Sequence, residues 1–219
     1  MKNEENSVDS RNEIPEMNLD NKYNQKKLPV PETNEMHKEM EKTKKELEKL
    51  KGIIIKKFSF IQSISILPPQ SIKIFIQEEE VPKETEKHIH LLIVIPEDKL
   101  KEAQKIKKEV VAEIEKTKQK IWLHLKTPID VFEVCLDSKF DMAAAIAMSF
   151  PLHDKGFLGA LRVAEIHKSL VLQKFERYVV SYVVAGSLVR GEAVKTSDVD
   201  VFIVINDTDV KRMPRVELK

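Results

Sequence analysis

The chain has 219 residues, 37 of them basic and 36 acidic, so its formal net charge is +1 and nothing global draws it to nucleic acid or an anionic membrane. Hydrophobic residues make up 42%, enough for a core, yet no apolar run reaches the ~18 residues a bilayer crossing needs. One cysteine, Cys135, excludes an internal disulfide and the polar N-terminus is no signal peptide, which points to a soluble cytoplasmic protein of one large or two small domains.

Residues 1–33 are rich in Asn, Glu, Lys and Asp with scattered apolar residues, and read as a disordered arm. From Asn34 the pattern turns helical. Met36, Met40, Leu47 and Leu50 recur at near-heptad spacing until Gly52 stops the run, either as a helix packed on its own domain or as a coiled-coil face. Ile61–Leu67 reads as a strand closed by Pro68-Pro69, and Ile89–Ile95 as a second, after an acidic stretch at Glu78–Glu80. A helix over Lys99–Lys118 would place Leu100, Ala103, Ile106, Val110 and Ile114 on one face. Two more strand-like runs, Ile121–Leu125 and Ile129–Val134, flank Thr127-Pro128. A small-residue helix follows over Phe140–Met148, then a loop Pro151–Gly156 and a long helix Phe157–Phe175. Cys135, Met142 and Met148 sit in apolar surroundings and belong to the core. His153-Asp154 reads as part of a turn; the alternative is a proton-transfer pair, for which no nucleophile lies nearby in sequence.

The chemistry-bearing stretch comes last. Val179–Ala185 is a β-branched strand running into Gly186-Ser187, a pair that turns sharply and lets a ligand approach the backbone. A polar loop ends at Ser197, and a second apolar strand opens with Asp198-Val199-Asp200. Strand alternation would put Asp198 and Asp200 on one face, where two carboxylates repel unless a cation joins them. Mg²⁺ takes oxygen ligands and commonly bridges carboxylates to a substrate's phosphates.

Strand, Gly186-Ser187, ten residues, Asp198-x-Asp200 and a second strand together resemble the polymerase-β-like nucleotidyltransferase superfamily. Arg190-Gly191 and Ser197 further resemble its minimal branch. The resemblance covers about 30 residues. It implies transfer of a nucleoside monophosphate from a nucleoside triphosphate to an acceptor, with pyrophosphate leaving. Asp198 and Asp200 would be catalytic and hold Mg²⁺ or Mn²⁺, while Gly186 and Ser187 would grip the β- and γ-phosphates. Arg190 either holds a phosphate oxygen or is an ordinary loop residue. The family's third carboxylate lies on a later strand. A protein side chain, an RNA end, a small molecule or another nucleotide would all serve as acceptor. The competing reading is a non-catalytic nucleotide-binding or scaffold protein.

An internal echo sets the expected architecture. Lys56–Pro69 resembles Gln173–Ser187, and His88–Ile95 resembles Asp198–Ile205, each pair following an amphipathic helix and preceding an acidic turn. This predicts an α/β protein of the α+β kind, built from two nucleotidyltransferase-like helix–strand–strand units with mixed sheets flanked by helices. Residues 34–150 would be a degenerate domain and 151–219 the start of a catalytic one, truncated before its third strand. In the first, Pro68-Pro69 replaces the Gly-Ser turn and His88 and His90 replace the carboxylates. His88, His90 and His124 would form a polar surface, or alternatively a Zn²⁺ site. Asp207 and Asp209 would cap a following helix, the alternative being a third metal ligand.

Overall fold

The computed structural model describes residues 33–206. The N-terminal arm, Asp207, Asp209 and the segment from Met213 onward lie outside these residues. Helix α1 (Thr33–Lys57) passes through Gly52 without a break and buries Leu47, Leu50 and Ile54, while Met40 stays exposed. It leads into β1 (Ser63–Ile66), α2 (Ile72–Glu78), β2 (Ile89–Val94), α3 (Ala103–Ile114) and β3 (Ile121–Lys126). Then come α4 (Pro128–Leu136), α5 (Phe140–Ala147) and β4 (Phe150–Asp154). These strands form a mixed sheet of order β3-β2-β1-β4, parallel between β2 and β3 and antiparallel elsewhere. The class is the α+β one expected from the sequence.

Four local readings are corrected. The run Ile129–Val134 is helical, not a strand. Thr127 accepts from the Asp130 N–H at 3.3 Å, the Asp130 carboxylate accepts from the Thr127 N–H at 2.6 Å, and Pro128 opens the first turn. That reciprocal cap outweighs the β-branched content of the run. The helix expected over Lys99–Lys118 is a 3₁₀ turn over Glu97–Glu102 followed by α3, so Leu100 is exposed instead of facing the core. The stretch Ile72–Glu78, assigned to no element from sequence, is α2. Part of the loop Pro151–Gly156 is β4, which pairs with β1 and makes that edge of the sheet.

Each face of the sheet is covered. On one, α1 and α3 bury Leu50, Ile54, Ile106 and Val110 against Ile64, Leu91 and Ile93. On the other, Phe75 of α2, Val131 of α4 and Met142 of α5 close over Leu67, Leu92 and Val94. This second core does not end with the sheet. Phe157, Leu158, Leu161 and Ala164 of α6 (Phe157–Phe175) also enter it.

Helix α6 leaves β4 through a tight connection in which the Asp154 carboxylate accepts from the N–H groups of Gly156, Leu158 and Gly159 at 3.1, 3.1 and 2.9 Å. Those donors would otherwise be orphaned at the helix start. Asp154 thus closes a turn and is no partner of His153 in proton transfer. After α6 comes an antiparallel hairpin, β5 (Val179–Ala185) and β6 (Asp200–Ile205). Tyr182 fastens it to α6, its hydroxyl donating to the Ala164 carbonyl at 3.1 Å and accepting from His167 Nδ1 at 2.8 Å.

The two helix–hairpin units, α1–β1–β2 and α6–β5–β6, have matching register. Ser63, Ile64, Ser65 and Ile66 oppose Val94, Ile93, Leu92 and Leu91. Ser181, Tyr182, Val183 and Val184 oppose Val204, Ile203, Phe202 and Val201. Anchoring Pro68-Pro69 on Gly186-Ser187 and His88 on Asp198 sends each of these four pairs onto its counterpart.

Candidate functional site

The site is built where β5 turns. Ala185 pairs with Asp200, and Gly186 follows at φ +74, a conformation that favours glycine. A β-carbon on Gly186 would overlap Asp200 Oδ2, so this carboxylate lies directly over the bare backbone. The turn is closed by Glu192 N–H to the Ser187 carbonyl at 2.8 Å and Gly191 N–H to the Leu188 carbonyl at 3.0 Å. Among the described residues, the N–H groups of Ser187, Leu188 and Val189 donate to nothing, and the Ser187 hydroxyl makes no hydrogen bond. The carboxylates of exposed Asp198 and Asp200 likewise have no hydrogen-bond or ion-pair partner among the described residues.

Gly186, Ser187 and Asp200 are therefore brought together. β6 begins at Asp200, so Asp198 lies in the loop just before it and strand alternation does not fix its side chain. Asp198 opens, with Lys195 and Ser197, onto a cavity of about 530 Å³ against Ala160, Val163 and His167 of α6. The Ser197 hydroxyl fixes this end of the loop by accepting from the Val194 N–H at 2.9 Å. Arg190 is exposed and donates to the Glu192 carboxylate at 2.8 Å, a surface pair that holds it only weakly.

Among the described residues, nothing covers the face of the hairpin that carries Asp200. Phe202 and Val204 beside it are 62% and 50% exposed. In the first unit, Leu92 and Val94 occupy the matching places and are 0% exposed, because α2, α4 and α5 fill the space above them. A ligand that reaches the second unit's face has no access to the first unit's.

Where the first unit would carry carboxylates, the structure has a buried histidine relay. His90 Nε2 donates to the Thr85 carbonyl at 2.9 Å, His90 Nδ1 and His124 Nε2 share a 2.8 Å hydrogen bond, and His124 Nδ1 donates to Glu79 at 2.9 Å. Both ends of this chain are acceptors. Burial depresses the His90 pKa against the Thr85 hydrogen bond, and the nearby His124 and His88 depress it further. Burial is the largest influence on Glu79 and raises its pKa. The His124 hydrogen bond and the charge and hydrogen bond of Lys126 at 2.6 Å together outweigh it and hold the carboxyl at about 2. The expected polar surface is thus wrong for His90 and His124, which are buried. The zinc alternative fails too, since the facing nitrogens bond each other and His88 takes no part.

Carboxylates like these two, exposed and without a partner among the described residues, are the kind of oxygen donor of which Mg²⁺ takes one or two, keeping waters or phosphate oxygens for the rest. Among the described residues no group of three or more His, Cys, Asp and Glu is placed to hold a metal by itself. Several residues that seat the loop carried little sequence signal. Leu188 is fully buried in the shared core, and the loop's backbone rests on Gln62, Pro128 and Gly156, with glycines 156 and 191 the one visible hint.

Residues 164–218 match a family model described as a nucleotidyltransferase domain. The match takes in most of α6, the hairpin and its loop, and supports nucleotidyl transfer as the general activity of this segment. No curated protein and no solved structure matches the chain. Among the described residues, no helix is long and apolar enough to cross a membrane.

Proposed function

We propose that the second unit binds a nucleoside triphosphate with Mg²⁺ or Mn²⁺ at the Gly186–Asp200 turn and transfers its nucleoside monophosphate to an acceptor. The observation that carries this reading is Asp200 lying over the bare Gly186 backbone, next to a Ser187 whose hydroxyl, with three N–H groups of the turn, has no partner among the described residues. Exposed backbone donors in such a turn suit phosphate oxygens. The Ser187 hydroxyl and these N–H groups would bind the β- and γ-phosphates, and Asp198 and Asp200 would hold the metal. Bound metal neutralises charge on the transferred and leaving phosphates. The acceptor's oxygen or nitrogen forms the new bond to the α-phosphorus as the bond to pyrophosphate breaks, and the acceptor's proton is released. Arg190 becomes a phosphate contact on exchanging Glu192 for the triphosphate.

In this reading the first unit is a duplicate that has lost its chemistry, a view supported by the pair-for-pair register and by the closed face above Leu92 and Val94. A second reading, a nucleotide-binding module without catalysis, draws on the two-carboxylate metal set among the described residues. Titration calorimetry with each of the four nucleoside triphosphates and MgCl₂ tests binding; Asp198→Asn/Asp200→Asn should abolish the metal-dependent heat. Unchanged binding in that variant sinks the site. Pyrophosphate release with the bound nucleotide separates transferase from binding module.

A further inference from the structure

The loop between Ser187 and Asp198 is seated on the first unit. Gly191, at φ +70, packs so closely on the Pro128 ring that a β-carbon there would overlap it. The Gln62 side-chain amide donates from Nε2 to the Gly191 carbonyl across 129 residues of sequence. Gln62 itself is rigidly held, its N–H donating to the Val94 carbonyl at 3.0 Å and its carbonyl accepting from Lys155 at 2.9 Å. Below, Leu188 and Ala193 enter the core beside Val131 and Val134 of α4. At the far side, a β-carbon on Gly156 would strike the backbone of Val194 and Lys195. One further detail sets Gln62 apart from a residue chosen for stability. Its Oε1 is buried with no partner, although a buried acceptor without a hydrogen bond is costly.

We propose that Gln62 and Pro128 are positioning residues, and that the first unit serves as a clamp fixing the conformation in which the loop presents Ser187 and Asp198. This rests on the proposed function for its consequence, though not for its geometry. The clamp acts on backbone, through one carbonyl and one bare α-carbon, so it fixes the loop without occupying any group offered to the nucleotide. A rigid loop binds better because the ordering cost is met in the free protein.

The test uses the full chain with Gln62→Met, which keeps the length, removes the donor and also removes the orphaned oxygen. The number of unpaired buried polar atoms stays level, because the Gly191 carbonyl becomes the orphan, and the melting temperature should hold. Hydrogen–deuterium exchange of the hydrogen-bonded loop amides, those of Gly191, Glu192, Val194 and Ser197, should rise about tenfold, as the loss of one hydrogen bond allows, with exchange in β2 unaltered. MgATP, or whichever nucleotide the calorimetry selects, should bind several-fold more weakly. Pro128→Ala, which removes the ring contact alone, should loosen the same amides. Loop exchange unchanged in both variants overturns the clamp. Loosened exchange with unchanged nucleotide affinity also overturns it, since the loop's conformation would then not matter. If the wild-type chain binds no nucleotide, the proposed function falls, while the exchange result still decides whether the clamp exists.

Discussion

At the scale of single residues, Gly186 and Glu79 do opposite things with charge. Asp200 is left exposed and, among the described residues, unpaired over Gly186, whereas Glu79 is half-buried and paired twice. Gly186→Ala should remove nucleotide binding, since the methyl would displace the carboxylate and φ +74 strains any side chain, at a cost of about 1–3 kcal/mol. Calorimetry and urea unfolding would separate the two effects. Glu79 gives a pH prediction. Its carboxyl moves from an ordinary 4.5 when unfolded to about 2 when folded, so its contribution is complete above 4.5 and lost as pH falls towards 2. That shift corresponds to about 3 kcal/mol. His90, held below its usual 6.5, refuses a proton that the unfolded chain accepts, so stability begins to decline below about 6.5. Unfolding measured across this range should show an acid-labile protein, with Glu79→Gln flattening the lower part of the curve. The turn was legible in sequence because its residues are local. The relay was not, because its members, Glu79, Thr85, His90 and His124, meet only once β3 has paired with β2.

Among elements, the misread ones share a cause. Pro128–Leu136 has strand-like composition, and only the Thr127 and Asp130 side chains, acting on each other's N–H groups, select the helix. Thr127→Ala should cost about 1 kcal/mol by chemical denaturation, the usual loss for a removed cap; no loss would mean that packing alone holds α4. The strand β4 was hidden for another reason. It is half-exposed, contains a proline and gains its identity from pairing with β1, which no local pattern reveals. Elements with a clear local pattern, α6 and β5 among them, fell on their expected bounds, while β6 begins two residues later than expected. That two-residue delay matters more than its size suggests, because it frees Asp198 from the alternation that would have fixed it beside Asp200.

For the molecule as a whole, the question is whether the two units are separate bodies. Sequence divides the chain near residue 150, but β4 spans that point and completes the first sheet, and α6 sends Phe157, Leu158 and Leu161 into a core made by α2, α4 and α5. Leu188 enters it from the candidate site's own loop. A core shared in this way couples the units: neither can expose its side without opening the other's. The chain should therefore unfold in one transition. Trp122, the single tryptophan, lies on β3 in the first unit and reports that unit's unfolding by its fluorescence. Phe157→Ala lies in the second unit and empties a fully buried site, at a cost of about 3–5 kcal/mol. For a chain of this size, that lowers the melting temperature by about 6–20 °C. If the core is common, the drop appears in full at Trp122 and in the far-ultraviolet circular dichroism together. A Trp122 transition that stays put while the dichroism splits into two steps would show two independent domains, and the clamp on the loop would then join bodies that can part.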